Sequence, residues 1–326
     1  MAVGDVRVGV IGTGFGARVV APVFAATPGC SVADVVSVRD ADAVAALCGR
    51  ADVDLVAVHS PPFLHRVHTE QALRSGRAVL CDKPFGRDGT EAAAMLEAAR
   101  DAAVPGLVNL EFRWEPARRH VAALIAAGDL GAIERVTWTH VSRGSRVPMR
   151  PYGWLFDRAA GGGWLGAWGS HAIDTLRWWL GDLTVTAAAL ETRVTERRDA
   201  DGTLHAVDAD DGFTATLRTA TGASVAIDAT FAATANLAPR VVIAGSAGVA
   251  EVVADRRVTV RHVDGTRSEW QAPDAGDDPH LVPMRRWAEV VCDAVRSGEV
   301  AADAATFADG LAMVRVLDAI RAAAAG

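Results

Sequence analysis

The chain has 326 residues, half of them hydrophobic, and a net charge of −7. That length can bury a core for two domains, and an acidic balance with scattered arginines excludes a general nucleic-acid or polyanion binder. No apolar run reaches the ~20 residues of a membrane helix. Asp5 and Arg7 interrupt what would be the apolar part of a signal peptide, so a cytoplasmic protein with no membrane partner is expected. The four cysteines, Cys30, Cys48, Cys81 and Cys292, form no C-x-x-C pair. They are expected to be reduced and buried, neither a disulfide framework nor a zinc site.

In chain order, short segments rich in β-branched residues predict strands at 6–11, 32–38, 55–59, 78–80 and 106–110. Helical spacing lies between them at 64–75 and 90–103, the second opened by turn residues with Asp88 or Thr90 as cap. Such alternation implies a parallel sheet covered by helices on both faces. A helix near 118–127 ends at Gly128, and a strand follows at 133–141. After a loop rich in Gly, Pro and Arg comes a helix near 170–180, then β-like segments at 185–192, 213–219, 224–231, 240–244, 249–253 and 257–263. Sequential strands without helices between them imply an open, mostly antiparallel sheet in an α+β domain. The polar stretch 196–211 reads as a long hairpin tip, and helices near 283–297 and 303–325 close the chain. The expected domains are 1–115, of Rossmann type, and 116–326, with the last helix packing back on the first domain.

Gly12-Thr13-Gly14-Phe15-Gly16-Ala17 follows the first strand directly. In a nucleotide-binding crossover the first Gly makes the tight turn and the second lets the backbone approach a pyrophosphate. The small Ala17 then allows close helix–strand packing, and the amides at the helix start bind phosphate. Pro22 predicts a kink or restart of that helix. At the end of the second strand, Asp40 would accept from the ribose hydroxyls of NAD, whereas Arg39 would pair with the 2′-phosphate of NADP. The adjacent positions leave both cofactors open.

Lys83 is the single lysine among 33 basic residues. A lysine amine titrates when buried or beside other cations, which a guanidinium does not, so a lysine kept in an arginine-rich chain is a candidate for proton transfer. His59, His65 and His68 lack a carboxylate companion at ligand spacing, and no metal is expected. Arg143, Arg146, Arg150 and Arg158 bracket the loop before the glycine run, either to meet a substrate carboxylate or phosphate or as solvated loop charges.

The motifs together resemble the Gfo/Idh/MocA family of oxidoreductases over essentially the whole chain. Pro61-Pro62-Phe63-Leu64-His65 resembles its P-x-x-H segment, and Cys81-Asp82-Lys83-Pro84 its E-K-P motif with Asp for Glu. The run from Asn109 through Arg113 to Pro116 is similar to its N-x-x-R-F-x-P signature, and Gly128-Asp129-Leu130-Gly131 to its G-x-x-G turn. The run from Gly161 to Asp174 resembles G-G-G-x-L-x-D-x-G-x-H-x-x-D. The resemblance implies a Rossmann domain, a second domain with an open sheet, and NAD or NADP acting on a sugar-like or cyclitol-like alcohol. It carries the catalytic lysine to Lys83 and the histidine to His171, but Ala167 stands where the family has an Asp. It also implies a full helix and another strand after the adenosine-reading strand, where this chain has only 41–51.

On this reading Lys83 and His171 are catalytic. Gly12, Gly14, Phe15, Gly16, Ala17, Arg39, Asp40, Pro61, His65, Asp82 and Lys83 hold the cofactor. Lys83, Arg113, Tyr152, Trp164, Trp168 and His171 meet the substrate, the rings offering flat faces to a sugar. His171 is expected to point into the crevice between the domains near Lys83, with Asp174, Tyr152 or a water on its other ring nitrogen. A homodimer or homotetramer through the sheet of the second domain is expected. The vacant acidic position keeps a second reading in play, a nucleotide-sensing regulator or pseudoenzyme. A third is a glycosidase that uses bound nicotinamide for transient oxidation.

Overall fold

A computed structural model describes residues 5–274, 276 and 278–326. The chain divides into two compact units, one of Met1–Trp114 with Ala275–Arg315, the other of Glu115–Asp274 with Val316–Gly326.

The first unit begins with β1 (Val6–Ile11), α1 (Ala21–Ala26), β2 (Cys30–Val36) and α2 (Ala41–Gly49). It continues with β3 (Leu55–Val58), α3 (Pro62–Arg74), β4 (Ala78–Cys81), α4 (Gly89–Ala102) and β5 (Gly106–Val108). The five strands form a parallel sheet in the order β2-β1-β3-β4-β5. Every residue of β3 and β4 is buried, as strands covered on both faces must be. Between β2 and β3 the chain makes α2 and no further strand, which leaves β2 at the sheet edge. Before α1, residues Gly16–Val20 wind as a π turn, with Ala21 N–H donating to Gly16 O. Pro22, which has no N–H for the α ladder, stands in the next turn, where the sequence predicts the break.

The second unit opens with α5 (Pro116–Ala127), capped by Glu115 and stopped by Gly128 at φ 76°. Next come β6 (Ile133–Val141), α6 (Ser170–Leu180), β7 (Leu183–Glu191) and a small hairpin, β8 (Glu196–Arg198) with β9 (Leu204–Ala206). That hairpin lies inside the predicted polar tip. Then follow β10 (Gly212–Thr219), β11 (Ser224–Thr230), β12 (Arg240–Gly245), β13 (Gly248–Val253), β14 (Arg257–His262) and β15 (Arg267–Gln271). The eight-stranded sheet runs β15-β14-β13-β12-β6-β11-β10-β7 and is antiparallel except where β6 pairs β11. Alternation sends Trp138, Ile227, Phe213 and Ile243 into the core. The opposite face carries Thr137, Thr139, Thr214, Thr216, Asp228 and Glu251. Arg118 of α5 is buried and ties the unit together. It donates to Thr175 Oγ1 at 3.0 Å, pairs with Asp255 at 3.0 Å, and lies over the Trp138 ring. The sequence missed β15 because this strand is exposed at almost every position and has no apolar alternation, only Trp270 stacked on His120.

Two helices follow, α7 (Leu281–Ser297) and α8 (Phe307–Ala325), and α7 with the Phe307–Arg315 part of α8 belongs to the first unit. There α7 packs on α1 and on the short turn Glu111–Trp114, with Trp287 stacked on Trp114. This packing corrects the expectation for the cysteines. Cys30 and Cys292 form a disulfide with Cα atoms 6.8 Å apart across 262 residues, whereas Cys48 and Cys81 are free and buried. The pairing follows from the tertiary placement of α7, which residue spacing does not encode. No helix among the described residues is long and apolar enough to cross a membrane.

Candidate functional site

The glycine loop leaves β1 through Gly12, which has φ 129° and donates its N–H to Val36 O at 2.9 Å. A Cβ at Gly12 would lie 2.4 Å from His59 O, and one at Gly16 would lie 3.0 Å from Val10 and 3.1 Å from His59 Cβ. At Gly14 a Cβ would meet nothing within 4 Å. Gly12 and Gly16 are therefore demanded by the protein's own packing, but Gly14 is not. Open space over an exposed backbone at the carboxyl end of a parallel strand fits a dinucleotide's pyrophosphate. Phe15 and Ala17 are half-buried, and Arg18 closes the turn onto Gly14 O.

β2 stops at Val36, two residues before the predicted end, so Arg39 and Asp40 lie beyond the strand. Asp40 caps α2, its Oδ1 accepting from Ala43 N–H at 2.9 Å, and Arg39 is exposed beside it.

Asp82, at the end of β4, is a node. Its Oδ1 accepts from Lys83 N–H at 2.9 Å and from Asn109 Nδ2 at 3.3 Å, and its Oδ2 lies 3.1 Å from His59 Nδ1. Burial raises the Asp82 carboxyl, but the charges of His59, Lys83 and His65 outweigh it and hold the group below the usual carboxylate range. Pro61 caps α3 and leads into His65, which is fully buried. The His65 ring lies between two carbonyls, with Nδ1 at 2.9 Å from Pro84 O and Nε2 at 2.8 Å from Ser60 O. Burial presses its pKa down against the pull of Asp82. His65 thus braces the segment carrying Lys83 from behind. His68 meets Ser60 Oγ at 3.2 Å, and burial pushes it down to about 4. Lys83 itself is half-buried.

Two features of this unit escaped the sequence reading. His59 lies under the glycine loop with its ring 5.9 Å from that of Phe15, so it has the carboxylate companion that its spacing did not reveal. Glu111 is buried and holds His280 Nδ1 at 2.7 Å, and the His280 ring sits 5.1 Å from both Phe15 and Phe112. The two partners are 169 residues apart, and no local signal joins them. Arg113, expected at the substrate, is buried and ion-paired with Asp309 at 3.2 Å.

In the second unit the run Gly161-Gly162-Gly163 is a packing requirement. A Cβ at Gly162 would lie within 2.7 Å of three carbonyl oxygens, and Gly163 has φ 112° with Asp210 against it. Asp210, missed by the sequence reading, accepts from Leu165 N–H at 2.7 Å, and burial raises its pKa. From there Leu165–Gly169 winds as a π turn into α6. His171 lies in the first turn of α6 and Asp174 three residues further on, 3% and 2% exposed, and Ala167 lies within the π turn. Trp168 is buried against Trp138 and His140, and Trp164 stacks flat on Phe231 at 4.1 Å. Tyr152 stacks on His205 at 4.4 Å. Among the loop arginines, Arg158 donates to Asp208 O and Arg146 to Ala232 O.

Comparison with known proteins agrees with this architecture. A profile described as "Oxidoreductase family, NAD-binding Rossmann fold" matches residues 6–110, and one described as "GFO/IDH/MocA C-terminal domain" matches 118–251. Levoglucosan dehydrogenase of Pseudarthrobacter phenanthrenivorans is 31% identical over 55% of this chain and 50% of its own length. D-apiose dehydrogenase of Paraburkholderia graminis is 29% identical over 80% and 64%. An uncharacterized oxidoreductase of Synechocystis is 37% identical over 47% and 41%. The chain thus spans between 41% and 64% of the length of these curated relatives. A solved levoglucosan dehydrogenase in complex with NADH and L-sorbose has the same fold, with a TM-score of 0.86 at 24% identity over 99% of this chain and 97% of that one. An oxidoreductase domain protein from Kribbella flavida gives 0.87 at 23% over 99% and 97%. With its NAD-binding Rossmann fold and its second domain both matched, the chain belongs to the Gfo/Idh/MocA family of oxidoreductases.

Proposed function

We propose that the protein is an NAD(P)-dependent oxidoreductase that transfers a hydride between nicotinamide and a sugar-like or cyclitol-like alcohol or its ketone. The observation that carries this reading is the open backbone at Gly14 on the same edge of the parallel sheet as Lys83, since ligands of such sheets bind at the carboxyl ends of the strands. Gly12, Gly14, Phe15, Gly16 and Ala17 would hold the pyrophosphate, with Arg39, Asp40, Pro61, His65 and Asp82 around the rest. The bound cofactor supplies the hydride acceptor or donor. Lys83 Nζ hydrogen-bonds the substrate oxygen and takes or returns its proton, and the Asp82 node with His65 behind it fixes the lysine's backbone. His171 is the second proton-handling group, with Asp174 three residues on along the same buried helix in place of the carboxylate that Ala167 lacks. Relatives named for levoglucosan and apiose support a sugar-like substrate, and the flat faces of Trp164 and Tyr152 suit one. The face of the eight-stranded sheet opposite its core is the proposed contact for a homodimer or homotetramer.

One observation favours a nucleotide-sensing protein instead, the combination of Ala167 with a His171 only 3% exposed. The test is Gly14→Val, titrated with NADH and NADPH, beside the wild type assayed on a panel of polyols and anhydrosugars. Cofactor binding by the wild type, its loss in the variant, and turnover of a panel member are expected. Unchanged binding by Gly14→Val would remove the loop from the site, and binding without any turnover would favour the sensor.

A further inference from the structure

We propose that Glu111 and His280 are positioning residues for the cofactor loop, holding the Phe15 ring and through it the backbone of Gly14-Phe15-Gly16 in the pose that receives a dinucleotide's diphosphate. This rests on reading that loop as the dinucleotide site.

Phe15 is the one bulky side chain between Gly14 and Gly16, and neither glycine has a side chain with which to fix its own backbone. Two histidines hold the Phe15 ring, His59 at 5.9 Å and His280 at 5.1 Å edge-on. Each histidine is itself fixed through Nδ1 by a carboxylate, His59 by Asp82 at 3.1 Å and His280 by Glu111 at 2.7 Å. The His59 arm belongs to the packing under β1, because its carbonyl fills the space beside Gly12 and its side chain the space beside Gly16. The His280 arm has no such role. It comes from the residue before α7, whose seat on the Glu111–Trp114 turn is set by Trp287 against Trp114, and its side chain remains 31% exposed. Phe112 also stacks on the imidazole, at 26° and 5.1 Å between ring centroids.

Glu111 adds a second, independent observation. Its side chain is 1% exposed, and its Oε2 has no hydrogen-bond partner among the described residues. A buried carboxylate oxygen without a donor is costly and persists where the position serves something besides local packing. Holding the loop before the ligand arrives removes the ordering cost at binding, and one immobilised side chain accounts for roughly a tenfold difference in affinity.

The experiment measures NADH, ADP-ribose and AMP affinities of the full-length protein. His280→Ala and Phe15→Ala are each expected to weaken NADH and ADP-ribose about tenfold while leaving AMP, which lacks the diphosphate, unchanged. The double variant should bind no more weakly than Phe15→Ala alone, because His280 acts through Phe15. Glu111→Gln keeps an acceptor for His280 Nδ1 and should stay near wild type, whereas Glu111→Leu should match His280→Ala. Wild-type NADH affinity in His280→Ala overturns the proposal. So do additive losses in the double variant, or an equal loss of AMP binding, which would mark damage to the fold. Gly14→Val separates this from failure of the underlying reading. If it binds NADH normally the loop is not the cofactor site; if it loses NADH while His280→Ala does not, only the positioning role falls.

Discussion

In the first unit, buried polar side chains find partners on other elements: His59 meets Asp82, Glu111 meets His280, and Arg113 meets Asp309. In the second unit the segment that carries His171 runs beside aromatic rings, Trp164 on Phe231 and Trp168 against Trp138 and His140, and the half-buried Asp210 accepts from the backbone N–H of Leu165. One unit sets fixed charge beside open backbone, whereas in the other the rings stack on one another. The chain's single lysine, Lys83, lies in the polar unit, and the buried His171 lies in the aromatic one.

The largest expected effect tests whether the chemistry sits in the polar unit. Lys83→Arg keeps the charge but removes the amine that can titrate, so NADH affinity should hold while kcat falls on the order of 100-fold. A near wild-type kcat on an identified substrate would make Lys83 an anchoring charge and shift the proton chemistry to His171. The next effect tests whether the glycine run of the aromatic unit is architectural. Gly163→Ala asks an alanine to adopt φ 112° with Asp210 Oδ1 already in its space, and should cost about 3 kcal/mol. The loss should appear as a lower denaturant midpoint with cofactor affinity unchanged. If stability held and turnover alone fell, the run would instead belong to substrate binding.

The two units also differ in how much of them could be read from residues. The parallel sheet was legible because β1, β3 and β4 are short apolar runs and the Gly12–Ala17 loop follows β1 at once. The mixed sheet was legible strand by strand except at β15, whose exposed residues follow no apolar alternation. What stayed hidden was contact at long range. Nothing near Glu111 announces His280, nothing near Arg113 announces Asp309, and Cys30 gives no hint of Cys292, because all three pairings wait on the seating of α7 and α8. Asp40 shows the other limit. The strand ends two residues before the predicted position, and one oxygen of the Asp40 carboxylate caps α2, a use that its place in the sequence did not announce.

The last expected effect, confined to a pH window, concerns Glu115, where the second unit begins. This carboxyl caps α5 through Ala117 and Arg118 N–H, yet burial, and then the charge of Asp255, push it up to about 7 against the pull of Arg118 and those N–H groups. A folded pKa above the ordinary 4.5 means that between these values the folded chain keeps a proton that the unfolded chain has released. The stability linked to that proton is fully present below the ordinary pKa and is lost as pH rises to about 7. Glu115→Gln cannot titrate and adds only a constant offset from its weaker cap. The wild type should therefore lose up to about 3 kcal/mol relative to Glu115→Gln as pH climbs through that window, read as a narrowing gap in denaturant midpoints. A gap independent of pH would mean that Glu115 is ionised throughout. Its buried cap would then resemble the fixed carboxylates of the first unit, and the contrast between the units would fail at their shared boundary.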